Sequence, residues 1–434
     1  MRDQALQIPE WLDHFLEKPV AVFGAGASGK AASLLLRKLG AETVLYDEAA
    51  SDGSTSKFSS EAAEQHELVI HSPGFAIDHP WLETARKAGC LLLTEFDLGA
   101  VFWNGPVIAV TGTNGKTTLV EFLSVAFRCA GIEAYVAGNI GIPLSQLMAD
   151  GYNREAIAIC EVSSFQAGCS QKLEPDYVLW TNFAEDHLDR HASLEAYFRS
   201  KYRLVEQMRS DVLLYGESVR KYGQRFGLRL PQSGLVTDDL LSEELGIAGT
   251  CFSTLPEKKN YLMARALWPR MGLEEEKIIE AAHAFRKSPH RMELVRSLDG
   301  ISFWDDSKAT NYHAVLGGMD RFSQPVIWIG GGKSKGGDVA RFAEGLADHV
   351  SEAHVIGETK EMLGDDLRAK GVETHLHDTV EEATREAFAN ATSGDNILLS
   401  PGFASHDMFE GYAHRGEVFK KSVNSLSEKE FRQG

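Results

Sequence analysis

Lys116 and Thr117 follow a glycine-bearing loop, in the stretch Gly105-Pro-Val-Ile-Ala-Val-Thr-Gly-Thr-Asn-Gly-Lys-Thr-Thr118. The apolar run Val107 to Val110 reads as a buried strand, and an apolar-periodic helix starts near Thr117. That order turns backbone N–H groups, a helix N-terminus and a lysine toward one spot, which suits a phosphate chain. Thr117 would put a hydroxyl on the accompanying Mg²⁺. The full phosphate-loop spacing wants glycine at 110, where this chain has Val110, so the motif is the shortened Gly112-x-x-Gly115-Lys116-Thr117. An ordinary strand–turn–helix joint with a surface lysine is the bland alternative; the combined strand, loop and helix context speaks against it.

Two further strand ends carry complementary chemistry. The run Ala156 to Cys160 ends at Glu161, followed by Val162-Ser163-Ser164-Phe165-Gln166. An acid at a strand's carboxyl end, on the loop side of a nucleotide sheet, is where a second metal ligand belongs. The run Tyr177 to Trp180 leads to Thr181-Asn182-Phe183-Ala184-Glu185-Asp186-His187-Leu188-Asp189-Arg190-His191, too rich in Asp, His and Asn for a mere turn. Alone, His187 reads as a satisfied loop histidine; after a third consecutive strand end it becomes a site candidate. Val136-Ala-Gly-Asn139-Ile-Gly141 is a glycine-rich turn that could expose an amide. Lys201, in Tyr197-Phe-Arg-Ser-Lys201, reads from residue type and helical context as a solvated lysine.

The elements that must hold these residues fall into successive α/β sections. In the first, strand Val20 to Phe23 meets Gly24-Ala25-Gly26-Ala27-Ser28-Gly29, which opens a helix from Lys30 to Leu39. A strand from Thr43 to Tyr46 ends at Asp47, an acid about 20 residues beyond the glycine turn. Taken alone, this fingerprint says NAD or FAD. Its physics is broader: a tight turn and a pyrophosphate on a helix end suit any nucleotide diphosphate, a UDP-sugar included, and the glycines could also serve packing alone. Strand Leu68 to His71 then runs into Ser72-Pro73-Gly74-Phe75, and strand Leu91 to Leu93 follows.

Residues 211 to 260 carry weak strands and an acidic run near Asp238 to Glu244; a helix starts at about Tyr261. A helix from Glu274 to Phe285 stops before Ser288-Pro289-His290-Arg291, and Pro289 marks a joint. Strand and helix then alternate again, as a βαβ domain would. Strand Ile301 to Trp304 meets Asp305-Asp306-Ser307-Lys308-Ala309-Thr310-Asn311, and strand Val326 to Ile329 meets Gly330-Gly-Gly-Lys333-Ser-Lys335-Gly-Gly337. Strand Ala353 to Ile356 comes next, and strand Ile397 to Leu399 meets Ser400-Pro-Gly-Phe-Ala-Ser405-His-Asp407. Basic and hydroxyl side chains gather where an open α/β sheet keeps its ligand. Ser-Pro-Gly-Phe-Ala occurs at 72 and again at 400, each time after a strand, and reads as similar turn chemistry. The expected class is α/β in three domains: Rossmann-like over 1–103, a central phosphate-loop ATPase type over 104–289, and Rossmann-like over 290–434.

Length and composition agree. A chain of 434 residues makes two or three domains. A net charge of -18 argues against nucleic acid, which needs a basic footprint, but leaves room for an anionic small substrate on a local basic cluster. The five cysteines are scattered, which fits a reducing cytosol and no structural zinc. The acidic residues among the first fifteen do not make a signal peptide, and no apolar run is long enough to span a bilayer. The expectation is a soluble cytoplasmic protein.

At this point the residues resemble the Mur ligase family. The resemblance rests on Thr111-Gly-Thr-Asn-Gly-Lys-Thr-Thr, Glu161-Val-Ser-Ser-Phe-Gln, Thr181-Asn-Phe-x-x-Asp-His-Leu-Asp-Arg-His, His290-Arg291, Asp306-Ser-Lys-Ala-Thr-Asn and Leu398-Leu-Ser-Pro, in the family's order along nearly the whole chain. It is most similar to the branch that adds D-glutamate. The resemblance implies an ATP-dependent amide ligase that joins D-glutamate to UDP-N-acetylmuramoyl-L-alanine through an acyl phosphate, in the peptidoglycan synthesis that underlies cell shape and division. It implies ATP, two Mg²⁺ ions, small-molecule substrates and a monomer.

Residue by residue, the resemblance places Gly112, Thr113, Asn114, Gly115, Lys116, Thr117 and Thr118 on the ATP phosphates. Asn260, Arg291 and Asp306 would also contact ATP. Thr117, Glu161, His187 and Lys201 would serve the metal site, with Lys116, His187 and Lys201 catalytic and Lys201 carrying a carbamate. That overrules the solvated reading of Lys201. Gly24, Ala25, Gly26, Ala27, Ser28, Asp47, Ser72, Pro73, Gly74, Asn139, Ser163 and Gln166 would meet the UDP substrate. Lys308, Thr310, Lys335, Ser405 and Tyr412 would line the amino-acid pocket, with Lys333 the alternative to Lys335. The family's His-Asn-x-x-Asn element at the adenine is Lys259-Asn260-Tyr261-Leu262-Met263 here, keeping only Asn260.

Rival readings stay open at this stage. They are a related ligase for L-glutamate or another amino acid, a folylpolyglutamate synthase-like enzyme, an NAD-dependent oxidoreductase, and a non-catalytic nucleotide sensor. The acid, histidine and lysine at successive strand ends speak against the last two.

Overall fold

The computed structural model describes residues 6–49, 54–188, 190–237, 239, 245–319 and 321–427. Asp189 and most of the acidic run from Asp238 to Glu244 lie outside the described residues. The chain divides into two compact units: Met1–Phe183, Ser193–Ile247 and Asn260–Phe285 in one, Ala184–Ala192, Ala248–Lys259 and Arg286–Gly434 in the other. Among the described residues no helix is long and apolar enough to cross a membrane.

The first unit holds two parallel sheets. Strands β1 (Val20–Phe23), β2 (Thr43–Tyr46), β3 (Leu68–His71) and β4 (Leu91–Thr94) lie in the order β2-β1-β3-β4. β1 and β3 are buried at every residue, which is why they read as unbroken apolar runs. The register pairs Phe23 with both Tyr46 and His71. Gly24, Asp47 and Ser72 therefore leave the sheet side by side.

Strands β5 (Val107–Thr111), β6 (Ala134–Gly138), β7 (Ile157–Glu161), β8 (Tyr177–Trp180), β9 (Val212–Gly216) and β10 (Leu235–Val236) form the second sheet, in the order β10-β9-β8-β5-β7-β6. The chain changes direction at β5, with β7 on one side and β8 on the other. Such a switch point opens a crevice at the carboxyl ends of the strands. Register opposes Val110 and Gly138 to Glu161, and Thr111 to Trp180. The two sheets of this unit share buried core: Leu36, Leu98 and Phe102 pack in one cluster with Leu144 and Leu147. The fully buried Asp97 accepts hydrogen bonds from Ser170 Oγ at 2.6 Å, Gln171 N at 2.9 Å and Lys172 N at 2.8 Å.

The second unit is built on β11 (Glu293–Leu298), β12 (Ile301–Asp305), β13 (Val326–Gly331), β14 (Val350–Ile356), β15 (Glu373–Leu376) and β16 (Asn396–Leu399). Their order is β11-β12-β16-β13-β14-β15, with β11 alone antiparallel. β11 and β15 are edge strands absent from the sequence reading. Neither is fully buried, and Glu-Thr-His-Leu in β15 contains no apolar run to signal a strand. Helix starts also differ. The helix Ala27–Lys38 begins ahead of Lys30, and Glu257–Leu267 begins ahead of Tyr261.

Candidate active site

β5 delivers the phosphate-loop segment to the switch point. Gly115 is left-handed, φ 82°, and caps the helix Lys116–Cys129, whose first turn follows directly. That conformation is the one glycine adopts freely, and a Cβ there would lie 2.7 Å from Asn260 Oδ1. Asn260 is buried against the loop itself. Lys116 Nζ folds back and donates to the carbonyls of Gly112 and Thr113, at 2.9 Å each. Thr117 Oγ1 donates to Glu161 Oε2 at 2.8 Å, and Asn139 Nδ2 donates to Glu161 Oε1 at 2.8 Å. Thr117, Asn139 and Glu161, called from three separate stretches, thus meet at one carboxylate. Oxygen donors of this kind, one carboxylate beside a hydroxyl, fit Mg²⁺. Thr118 is buried in the helix's first turn.

Lys201 is not solvated. It lies on the helix Leu194–Glu206, is 1% exposed, and donates to Gly112 O at 2.9 Å and Thr111 Oγ1 at 3.3 Å. Its ammonium sits 5.0 Å from the centre of the Tyr197 ring. The helix turns an apolar face inward, with Tyr197, Phe198 and Leu204 buried, and Lys201 falls on that face. Residue type alone misread it; its place one helical turn beyond Tyr197 was the available signal.

The loop is bracketed by residues that the sequence reading did not assign. Asn182 Oδ1 accepts from Asn114 N at 2.9 Å, and Asn182 O accepts from Thr113 N at 3.1 Å. Thr181 Oγ1 donates to Asn114 O at 2.6 Å. The signal was the second asparagine-bearing strand end, Thr181-Asn182. Ser163 and Gln166 form a capping box: Ser163 Oγ accepts from Gln166 N at 3.2 Å, and Gln166 Oε1 accepts from Ser163 N at 3.0 Å. This cap starts the helix Ser164–Cys169 close to Glu161 and explains both residues locally.

At the first sheet, Ala27 and Ser28 lie in the opening turn of their helix rather than before it. A Cβ at Gly29 would come within 1.7 Å of Gly24 O, the close helix–strand approach that this glycine serves. Asp47 Oδ2 accepts from Ala25 N at 2.6 Å, and Oδ1 from Ala49 N at 2.9 Å. Those two amides hold the Asp47 carboxyl below its ordinary range. Ser72 to Gly74 form the neighbouring turn, where Ser72 N donates to Phe23 O. The second copy of Ser-Pro-Gly-Phe-Ala repeats this: Ser400 N donates to Ile329 O of the adjacent strand.

In the second unit, the His290-Arg291 motif and the Asp306 motif are tied together. Asp306 Oδ1 accepts from Met292 N at 3.1 Å and Oδ2 from Ser400 Oγ at 2.9 Å. Burial outweighs these bonds and the nearby charges of Lys287 and Arg291, and pushes the Asp306 carboxyl up to about 7. His290 is left-handed, φ 63°, and its Nδ1 lies 2.6 Å from the buried Asp305 Oδ2.

Thr310, Lys335, Asp186 and His187 line one cleft with Glu185, Asn311, Tyr312 and Phe403. Lys335 Nζ donates to Asp186 Oδ1 at 3.3 Å, and Asn311 Nδ2 donates to Asp186 Oδ2 at 3.0 Å. Burial works to raise the Asp186 carboxyl, but the charges of Lys335 and His187 outweigh it and hold it low. His187 is left-handed, φ 55°, with Nε2 3.6 Å from Asp186 Oδ2. Lys333 is exposed, with its backbone bridged to Ala404, and is not among the lining residues. Lys308 stands elsewhere, its Nζ 3.7 Å from the centre of the Tyr412 ring. Ser405 is buried outside the cleft lining. The five residues expected at the amino acid are thus divided: two line the cleft and three do not.

Comparisons with known proteins agree with this layout. Residues 110–229 match the Mur ligase middle domain, and residues 290–403 match the Mur ligase, glutamate ligase domain. The chain is 32% identical over 450 residues to the UDP-N-acetylmuramoylalanine--D-glutamate ligase of Methylobacillus flagellatus, covering 95% of this chain and 98% of that protein. It is 34% identical over 390 residues to the protein of that name from Solibacter usitatus, covering 85% and 86%. Among solved structures, the MurF ligase of Thermotoga maritima in complex with ADP superimposes with a TM-score of 0.58 at 14% identity, over 98% of this chain and 99% of that one. The UDP-N-acetylmuramate-alanine ligase MurC of the same organism gives 0.57 at 15% identity, over 94% and 99%. The fold follows from these structures, and the near-full-length identity to the D-glutamate ligases goes further: the chain belongs to the Mur ligase family.

Proposed function

We propose that the protein is an ATP-dependent ligase that joins D-glutamate to UDP-N-acetylmuramoyl-L-alanine in peptidoglycan precursor synthesis. The observation that carries it is the meeting of Thr117, Asn139 and Glu161 beside the Lys116 loop. The names of the relatives supply the substrates. A carboxylate and an amine do not condense in water. ATP would first phosphorylate the carboxylate of the UDP substrate, giving an acyl phosphate and ADP. The glutamate amine then attacks the acyl carbon, and phosphate leaves. Lys116, lifted off the carbonyls of Gly112 and Thr113, would balance the charge of the transferring phosphoryl group. Thr117 and Glu161 would hold Mg²⁺, which supplies further charge neutralisation when bound.

In this reading residues 1–103 serve the UDP substrate, 104–289 ATP, and 290–434 the amino acid. Asp47, Ser72 and the Gly24–Ser28 turn share the carboxyl ends of adjacent strands, which suits a pyrophosphate and its sugar. Lys335 would hold a carboxylate of glutamate. His187, beside Asp186, would stand near the reacting groups. Carbamylated Lys201, a second Mg²⁺, a monomeric state and a cytoplasmic location belong to the same proposal.

Phosphate release from ATP, measured with UDP-N-acetylmuramoyl-L-alanine and a panel of D- and L-amino acids, tests it. The expected result is release that depends on both the UDP substrate and D-glutamate. Release with L-glutamate alone, or with a folate in place of the UDP substrate, would overturn it.

A further inference from the structure

Tyr312 opens the helix Tyr312–Met319, one position beyond Asn311. Its ring is fixed: it stacks on Phe342 at 4.4 Å and 11°, and meets the edge of Phe403 at 5.2 Å and 65°. The Cε2 edge of that ring lies against Gly337, which lines the cleft together with Tyr312, Glu185 and Lys335. A Cβ built on Gly337 would sit 3.0 Å from Tyr312 Cε2 and 3.7 Å from Glu185 Oε1. The hydroxyl oxygen is buried and has no hydrogen-bond partner among the described residues. A buried phenol normally finds one, and leaving it unmade is costly.

A phenol hydroxyl can donate as well as accept. Burial, with the charges of Glu185 and Asp338, pushes the Tyr312 phenol up to about 12, so it stays protonated and offers its hydrogen. Two donors that line the cleft, Lys335 and Asn311, already surround a carboxylate, that of Asp186. An ammonium entering the cleft would find Glu185 and Asp186 as acceptors better than a phenol. What remains for the hydroxyl is an anionic oxygen brought by the ligand.

We propose that Tyr312 is a further specificity-determining residue: its hydroxyl donates a hydrogen bond to a carboxylate oxygen of the incoming amino acid, beside Lys335. The inference rests on the function proposed above and deepens it at one residue. Phe342 and Phe403 hold the ring, so removing the oxygen alone should leave the packing intact.

Tyr312→Phe tests this, with parent and variant compared for the KM of D-glutamate, ATP and UDP-N-acetylmuramoyl-L-alanine, and for melting temperature. Hydrogen bonds to charged groups are the stronger class, so the KM for D-glutamate should rise roughly tenfold. The other two KM values should stay within about twofold, and the melting temperature should not fall. An unchanged KM for D-glutamate in the variant, with the parent active, overturns this inference and leaves the ligase reading standing. A common rise of all three constants, or a fall in melting temperature, makes the hydroxyl structural and also overturns it. A parent that accepts no acidic amino acid sinks the ligase reading and this inference together.

Discussion

Lys335 Nζ and Asp186 Oδ1 are 3.3 Å apart although 149 positions separate them in the chain. Asp186 is only 7% exposed at its side chain, and Asn311 Nδ2 donates to its other oxygen. Lysine and carboxamide together grip a carboxylate that the chain itself supplies. That is the chemistry an acidic amino acid would ask of the same cleft, so Asp186 acts as the resting partner of Lys335.

From this pair follows a ranking of the two candidate lysines. Lys335→Ala should raise the KM for D-glutamate at least about tenfold, because a lost charge-assisted contact is worth roughly 1.5–3 kcal/mol and 1.4 kcal/mol is tenfold. Lys308→Ala should cost less, since Lys308 sits over Tyr412 and outside the cleft lining. Initial rates at varied D-glutamate and varied ATP decide it. Equal loss for both substrates would put Lys335 at the nucleotide instead.

A sharper loss is expected at the phosphate loop. Lys116→Ala should lower kcat by about 10²–10³, the usual loss of one preorganised electrostatic contact. Its side chain bonds to the carbonyls of Gly112 and Thr113, so the melting temperature should hardly change. Near-normal product formation by the folded variant would contradict the role.

Much of this site was legible because its residues sit at strand ends. Buried strands such as β1, β5 and β7 announce themselves as apolar runs, and Gly24, Gly112 and Glu161 follow from where those runs stop. Side-chain direction was not legible in the same way. Lys201 looked solvated by residue type, and the packed face of its helix reveals the burial. Asp186 and Lys335 belong to different loops, and no local spacing joins positions so distant in the chain. The edge strand β15 escaped for a related reason: at an edge, polar residues such as Thr374 and His375 are tolerated, and the apolar signal vanishes.

Asp306 makes stability depend on pH. Its folded-state carboxyl is raised to about 7 by burial, against 3.8 when unperturbed. Between those values the unfolded chain has released the proton and the folded chain keeps it, so stability falls as pH rises through the window and levels off above it. Asp306→Asn cannot ionise and should lose this component of the decline. The variant's melting temperature, relative to the parent's, should therefore increase between pH 5 and pH 8. A difference that stays flat across that range, or shrinks, would show that Asp306 does not carry the raised carboxyl.

Lys201 offers the last prediction. The residue is 1% exposed, and its ammonium donates to Thr111 Oγ1 and Gly112 O. Taking a lysine ammonium out of water is expensive. Reaction of the neutral amine with CO₂ forms a nitrogen–carbon bond and releases one proton, leaving a carbamate anion in place of the cation. The new carboxylate would carry hard oxygen donors toward the loop that Lys116 and Thr117 begin, which is the ligand chemistry Mg²⁺ prefers. We predict that electron density from crystals grown with Mg²⁺ and bicarbonate extends beyond Lys201 Nζ by a planar carboxylate. Lys201→Arg keeps a cation but cannot form the carbamate, and its kcat should fall by about 10² or more. A free ammonium at Lys201 in the Mg²⁺-loaded enzyme, together with an active arginine variant, would leave the residue a packing lysine that steadies the loop through Gly112.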